Sequence, residues 1–548
     1  MDWISRCVRI LVGIMLANIV SMTVMTLFNF ASPILPWVYV VSLGVSVAIV
    51  PKSHWPIHWT MPSRTKLLTL GLILGLILSI GFVRLPYVLE GVSHQVVAGV
   101  TGDDAWHIQE ITSLLISPQF PPKFGIFQRD YLLFYYAPWM MIASLKWVLP
   151  VAVQSVKVAY FLGYLLYVAL VIPVVFGLIR SESQSLRTYW VMIFLIVIHA
   201  GMQSFNSLSF PFTSHENWMG HYHIYVQFSA FSTLMLWVVH HVLSAVALVL
   251  AYQYRRQSSR VALPVWREVT VIGGLLAFSI MSSPFVCLGA GLLGVVALWH
   301  HVRWVVKSGW MTGGVTLLLV WPLAWMYFQK QSDFRWCFNI LPVLSGQWTW
   351  VNWILSFALF SLLIIMEFII PFAMWIRICR HRIQVKRTDK VVLLIALGTV
   401  ISTFFVGYGI YNNYAMRSSI LPVFVGLLVL ARYADHLPEL SGKKMRLWFA
   451  FWIVMMTVGS LNEIAAVWKQ SYRELRLLGT HQSTREMVYQ VNRGDHSGDS
   501  RLLWRIGETN ASYYHLLERP LPYQFPYHEN DRDLIGPPPA GVWAQFRQ

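Results

Sequence analysis

The run "YLLFYYAPWMMIASLKWVL", residues 131–149, decides how the chain is threaded. It is apolar enough to enter a bilayer and close to the ~20 residues that a crossing helix needs. It is also crowded with tyrosine and tryptophan, which favour the membrane–water boundary. If it crosses, every later segment changes side. If it stays on one face, the positive charges of the other loops sort together, and that is the pattern found.

Outward from this run, apolar segments of spanning or near-spanning length fall at 10–30, 33–50, 66–83, 157–179, 188–202, 231–252, 268–282, 284–300, 311–327, 353–377, 391–410, 420–433 and 446–466. With the N-terminus inside, the segments 1–9, 51–66, 180–187, 253–267, 301–310, 376–390 and 432–446 hold 23 Lys and Arg. The opposite short segments, with all of 84–156 among them, hold seven. Loops rich in Lys and Arg stay in the cytoplasm. The expectation is a multi-pass protein of the cell (inner) membrane, N-terminus cytoplasmic and C-terminus extracytoplasmic. Residues 131–149 then lie along, or dip into, the outer face, and the first span is uncleaved.

Composition agrees with this class. Hydrophobic residues make up 56% and charged residues 12%, with a mean hydropathy of +0.56. A soluble domain carries about twice that charged fraction. The net charge of +17 is explained by the inner loops and needs no nucleic-acid partner. Cys7, Cys287, Cys337 and Cys379 have neither disulfide nor metal spacing. Three parts are expected: two N-terminal transmembrane helices and a cytoplasmic loop (1–65), a transmembrane core (66–466) with its first outer loop at 84–156, and an extracytoplasmic tail or small domain (467–548). No internal repeat is visible, which disfavours a transporter built from inverted repeats.

The first outer loop contains "VTGDDAWHIQEITSLL", residues 100–115. As a helix it brings Asp103, Asp104 and Glu110 each within one turn of His107. Ile108, Ile111 and Leu115 form an apolar stripe suited to the bilayer surface. One aspartate serves as a helix cap. The second, with the histidine, exceeds what a cap requires. A carboxylate at that boundary can take a proton from a sugar hydroxyl or hold a divalent cation.

One or two aspartates in the first outer loop, then surface helices, then many spans: over residues 66–466 this resembles the GT-C class of glycosyltransferases. The stretch "RDYLLFYYAPWMMIASLKWVLP", 129–150, sits where that class has a Tyr- and Pro-rich surface helix, and Asp103 and Asp104 match its acidic motif. "VQFSAFSTLMLWVVHH" and "YNNYAMRSSILP" look like segments of uncharacterised bacterial membrane proteins of this type. Two spans ahead of the core and the lack of a sequon-reading motif depart from the common pattern. The resemblance implies an all-α, GT-C-like bundle of about 13 transmembrane helices with outer-face amphipathic helices. It implies sugar transfer from a polyprenyl-phosphate carrier to an acceptor outside the cell, with Asp103, Asp104 and His107 as the catalytic group. By the same analogy, Arg417 neutralises the carrier phosphate.

Other polar candidates gather in the outer loops. "SHENWMGHYH" supplies His215, Glu216, His221 and His223. Its spacing matches no strong zinc signature, but Glu216 beside Asp103 or Asp104 suits magnesium or manganese. Arg417, the one cation of "YNNYAMRSS", follows Asn412 and Asn413. A guanidinium there suits a lipid phosphate. Gln227 and His241 share one face of a continuous sixth span, about 21 Å apart. Glu110, Glu216, Gln227, His241, Asn412, Asn413 and Arg417 are therefore expected to bind substrate. A transporter or flippase for a lipid-linked or small polar solute is the alternative. It predicts charges along a midplane path, where this sequence offers little beyond Glu367 and the pair His240–His241.

Overall fold

A computed structural model describes residues 3–51, 55, 61–93, 102–117, 119–122, 136–150, 155–183, 185–198, 230–258, 263–299, 301–329, 336–338, 349–365, 369, 373, 386–408, 413–433 and 443–479. The described chain is helical apart from one antiparallel pair of short strands, β1 (Trp336–Phe338) and β2 (Val406–Tyr408). Its first half contains α1 (Trp3–Leu27), α2 (Leu35–Ile49), α3 (Ser63–Ser93), α4 (Gly102–Ile116), α5 (Trp139–Val148), α6 (Val156–Glu182) and α7 (Leu186–Ile198). There follow α8 (Phe231–Trp237), α9 (Val239–Ser258), α10 (Val265–Ser282), α11 (Pro284–Trp299) and α12 (Trp310–Gln329). The last are α13 (Trp350–Ile364), α14 (Arg387–Phe405), α15 (Asn413–Ser418), α16 (Ile420–Ala431) and α17 (Lys443–Gly479).

The protein spans a membrane. Among the described residues, five helical segments are long and apolar enough to cross: Trp3–Leu27, Ser32–Ile49, Ser63–Pro86, Val156–Glu182 and Val265–Ser282. A sixth is gained if Pro284–Trp299 and Val302–Trp321, bent by 92°, count as one. The apolar parts of α7 and α16 have only 10–17 residues, about 15–25 Å, short of the ~30 Å hydrocarbon layer. Among the described residues, five or six of the about thirteen apolar segments therefore reach spanning length.

Polar contacts sort the helix ends into two levels. At one level Glu182, closing α6, accepts from Gln253 (3.0 Å) and pairs with Arg256 (3.1 Å) and Arg432 (3.0 Å). Arg432 also pairs with Asp389, which opens α14, at 3.2 Å, and Tyr433 donates to the same carboxylate at 2.6 Å. Arg255 meets Glu268 beside them at 2.7 Å. At the other level lie the end of α3, the whole of α4, the start of α6 and the α8–α9 junction. From Tyr160 to Glu182 along α6 is about 33 Å, one hydrocarbon thickness.

Residues 136–150 depart from the surface-lying expectation for this run. At ten residues, α5 is about 15 Å long and does not cross, but it is no interfacial helix either. Trp139, Met140, Ile142 and Ala143 are fully buried. The Met141 amide donates to Asn18 Oδ1 at 3.0 Å, and Tyr167 donates to the Pro138 carbonyl at 2.6 Å. Gly163 on α6 admits the close approach, since a Cβ there would meet Ile142 Cγ1 at 2.5 Å. The stripe on α4 likewise turns inward, with Ile108, Ile111 and Leu114 in the core. Its C-terminal end is tied to the α1–α2 connection by Ser32 N–H to the Ser117 carbonyl (3.3 Å) and Phe120 N–H to the Phe30 carbonyl (3.0 Å). Two expected boundaries also move. The sixth span breaks at Val238 (φ −139°, ψ 57°), and α17 continues past residue 466 to Gly479.

Candidate functional site

Arg84 lies one residue beyond the apolar run of α3, and α3 continues past it, so the guanidinium is carried inside the bundle at 1% exposure. Its Nη2 donates to Asp104 Oδ1 at 3.1 Å and to the Leu236 carbonyl at the end of α8. The guanidinium lies over the Tyr164 ring, 3.6 Å from the centroid. Asp104, fully buried in the first turn of α4, also accepts from the Tyr160 hydroxyl at 2.5 Å. Tyr160 and Tyr164 are one turn apart on α6, and the Tyr164 hydroxyl donates to the Met235 carbonyl at 2.8 Å. Arg84 of α3 and Tyr164 of α6 thereby satisfy two carbonyls that the α8–α9 break releases.

One turn along α4, His107 Nδ1 meets Glu110 Oε2 at 3.0 Å. The same oxygen accepts Trp139 Nε1–H from α5 at 2.6 Å. The His107 ring packs 4.7 Å from Trp139 and edge-on to His240, centroids 4.8 Å apart. His240 and His241 open α9 with centroids 3.9 Å apart. His107 Nε2 is buried and has no hydrogen-bond partner among the described residues. A histidine whose Nδ1 is held by a carboxylate keeps Nε2 available for proton transfer.

These contacts correct several expectations. Asp104 is a buried counter-ion of Arg84, so it is poorly placed as a base or a cation ligand. His107 is oriented by Glu110. Glu110 Oε2 accepts from Trp139 and meets His107, so this carboxylate positions the imidazole. Gln227 and His241 do not share a continuous helix, because the chain breaks at Val238 and residue 227 lies outside the described residues. Asp103 sits in the first turn of α4, and Asn413 begins α15. Glu216, Asn412, His215, His221, His223 and Glu367 lie outside the described residues. Among the described residues no three His, Cys, Asp or Glu side chains gather as a metal group.

Arg417, in the last turn of α15, lies within electrostatic reach of both His240 and His241. The geometry therefore joins Arg417 to the histidines of the sixth span, as the sequence did not specify. Gly289 of α11 allows this packing: a Cβ there would come within 1.8 Å of the Ser418 carbonyl oxygen. Close to the break, an apolar pocket of about 50 Å³ is lined by Phe231, Leu234, Val242, Val246, Ile420 and Phe424 among others.

Arg84, Trp139, Tyr160 and Tyr164 were not singled out from the sequence. The signal for Arg84 was an arginine abutting an apolar helix, hidden because the apolar run stops at Val83. Tyr160 and Tyr164 stand at i, i+4 in an otherwise apolar span, which many core tyrosines also do. Compared with protein-family models, with curated proteins and with solved structures, the chain matches none.

Proposed function

We propose that this protein is a GT-C-like membrane glycosyltransferase that moves a sugar from a polyprenyl-phosphate carrier to an acceptor hydroxyl on the extracytoplasmic side. In this reading the level of Glu182 and Arg432 is cytoplasmic, the level of α4 is external, and residues 66–466 form the core with eleven of the about 13 crossings. The basic ends Arg255, Arg256, Lys386, Arg387 and Arg432 on the first level support that orientation.

The observation that carries the reading is His107: Nδ1 fixed by Glu110, Nε2 unpartnered among the described residues, and the ring against His240 at the break. A positioned imidazole of this kind suits general-base work. His107 Nε2 takes the proton of the acceptor hydroxyl while its oxygen bonds to the anomeric carbon. The bond from that carbon to the carrier phosphate breaks, and the polyprenyl phosphate leaves with the electron pair. Arg417 offsets the charge that develops on it. Asp103 is the remaining acidic candidate on α4. A magnesium or manganese ion on Asp103 and Glu216 would add charge neutralisation at the phosphate.

The broken sixth span favours a second reading, since discontinuous helices also build transporter sites. One assay separates the two. Proteoliposomes holding the full chain are given polyprenyl-phosphate sugar labelled in the sugar, with cell-envelope extract as acceptor. Transfer requires label to leave the carrier in wild type, and to stay on it at least tenfold more in His107→Gln, given the ~10²–10⁴-fold worth of a general base. Label that changes leaflet while still on its carrier identifies a flippase and sinks the transferase.

A further inference from the structure

The established contacts of Arg84 use only one of its nitrogens. Nη2 serves both Asp104 and Leu236, whereas Nε and Nη1 are buried and have no hydrogen-bond partner among the described residues. A guanidinium carries five N–H donors in a planar fork. Leaving buried donors unmade costs about 1–3 kcal/mol for each group, a cost that an anionic ligand on the fork would relieve. The fork lies where α8 ends, against Tyr164, and across the same break His107 Nε2 is also without a hydrogen-bond partner among the described residues. Arg84 touches the chain before the break, at Leu236, and His107 touches it after, at His240. The surroundings are dry and aromatic, so a small anionic group there would gain strongly from charge-assisted bonds.

We infer that the α8–α9 break is a phosphoryl-binding site in which Arg84, through Nε and Nη1, is the principal ligand. The chemical class is a phosphate monoester or diester. A planar fork fits two phosphate oxygens side by side, and Lys does not reproduce it. The inference is independent of sugar transfer, because a carrier phosphate that is merely flipped needs the same recognition.

The test uses full-length protein in detergent, with ligand-induced shifts in thermal unfolding. The probes are dodecyl phosphate, inorganic phosphate and, as control, dodecanol. Dodecyl phosphate should stabilise wild type, and dodecanol should not. Arg84→Lys keeps a charge for Asp104, so the unliganded protein should stay folded while its affinity for dodecyl phosphate falls about tenfold or more. If inorganic phosphate gives the same Arg84-dependent shift, the free ion is a sufficient ligand. If only the alkyl ester does, the source is lipid-linked. Equal binding by wild type and Arg84→Lys overturns the inference, as does the absence of any phosphate-dependent shift in wild type. Should Arg84→Lys not fold, the paired variant Arg84→Met/Asp104→Asn removes both buried charges and takes its place. Arg84-dependent binding without sugar transfer keeps this site and discards the transferase, and the reverse result discards the site alone.

Discussion

At Arg84 and Asp104 the bilayer-level core holds a charge pair at 1% and 0% exposure. Removing one partner strands the other. Arg84→Ala or Asp104→Ala should each lower stability by about 3–5 kcal/mol, whereas Arg84→Met/Asp104→Asn should recover most of it. Reversible unfolding in mixed micelles measures all three, and a double variant no better than the singles would show that the pair is not coupled. Trp139→Phe keeps the ring packing but loses the N–H to Glu110. That bond to a charged acceptor is worth about 1.5–3 kcal/mol. The loss should appear both as reduced stability and as a lower rate in the labelled-sugar assay, because Glu110 no longer fixes His107. At this scale the acidic stretch was legible by its residue types, and His107–Glu110 followed from helical spacing. Which carboxylate meets which partner was not, since Arg84 is twenty residues away from Asp104 and no spacing rule links them.

Helices were easier to read than what covers them. The apolar stripe Ile108–Ile111 was legible from its period, but period alone does not distinguish lipid from protein as the covering surface. α5 proved to be packed against α1, α2 and α6, and α4 against α5 and α6. The break at Val238 left no mark in "LMLWVVHH", which has neither Pro nor Gly. It is compensated from outside by Arg84 and Tyr164, which take the carbonyls of Leu236 and Met235. Tyr164→Phe should therefore cost about 1 kcal/mol and speed amide exchange at residues 238–241. Unchanged exchange there would remove Tyr164 from the support of the break. The α11–α15 contact depends on Gly289, where a methyl would collide with backbone. Gly289→Ala should cost on the order of 1–3 kcal/mol and weaken whatever Arg417 binds. A variant as stable as wild type would mean that α11 yields easily.

Over the whole molecule, the sorting of basic residues was visible in the sequence, and the contacts of Glu182, Asp389 and Arg432 gather them at one level. The opposite level is fixed by Ser471 donating to the Val83 carbonyl at 3.0 Å, which sets Tyr472 beside the end of α3. Single cysteines at Thr388 and Tyr472, both exposed, test the threading once Cys7, Cys287, Cys337 and Cys379 are replaced. An impermeant maleimide added to intact cells should label Tyr472→Cys and spare Thr388→Cys until the membrane is opened. Labelling of both from one side would refute the two-level arrangement. The count of crossings was less legible, because the threading rests on short segments and on residues 131–149, which charge bias alone does not place.

The reach of Arg84 has a consequence for biogenesis. Its partners Asp104 and Leu236 follow it by 20 and 152 residues. At about 5–20 residues per second, Leu236 leaves the ribosome roughly 8–30 s after Arg84. For most of that interval α3 offers the translocon an arginine at its apolar end with Asp104, made about 1–4 s after it, as the one final acceptor yet synthesised. Its lateral release into lipid is therefore provisional, and becomes permanent only when later helices arrive to claim the charge.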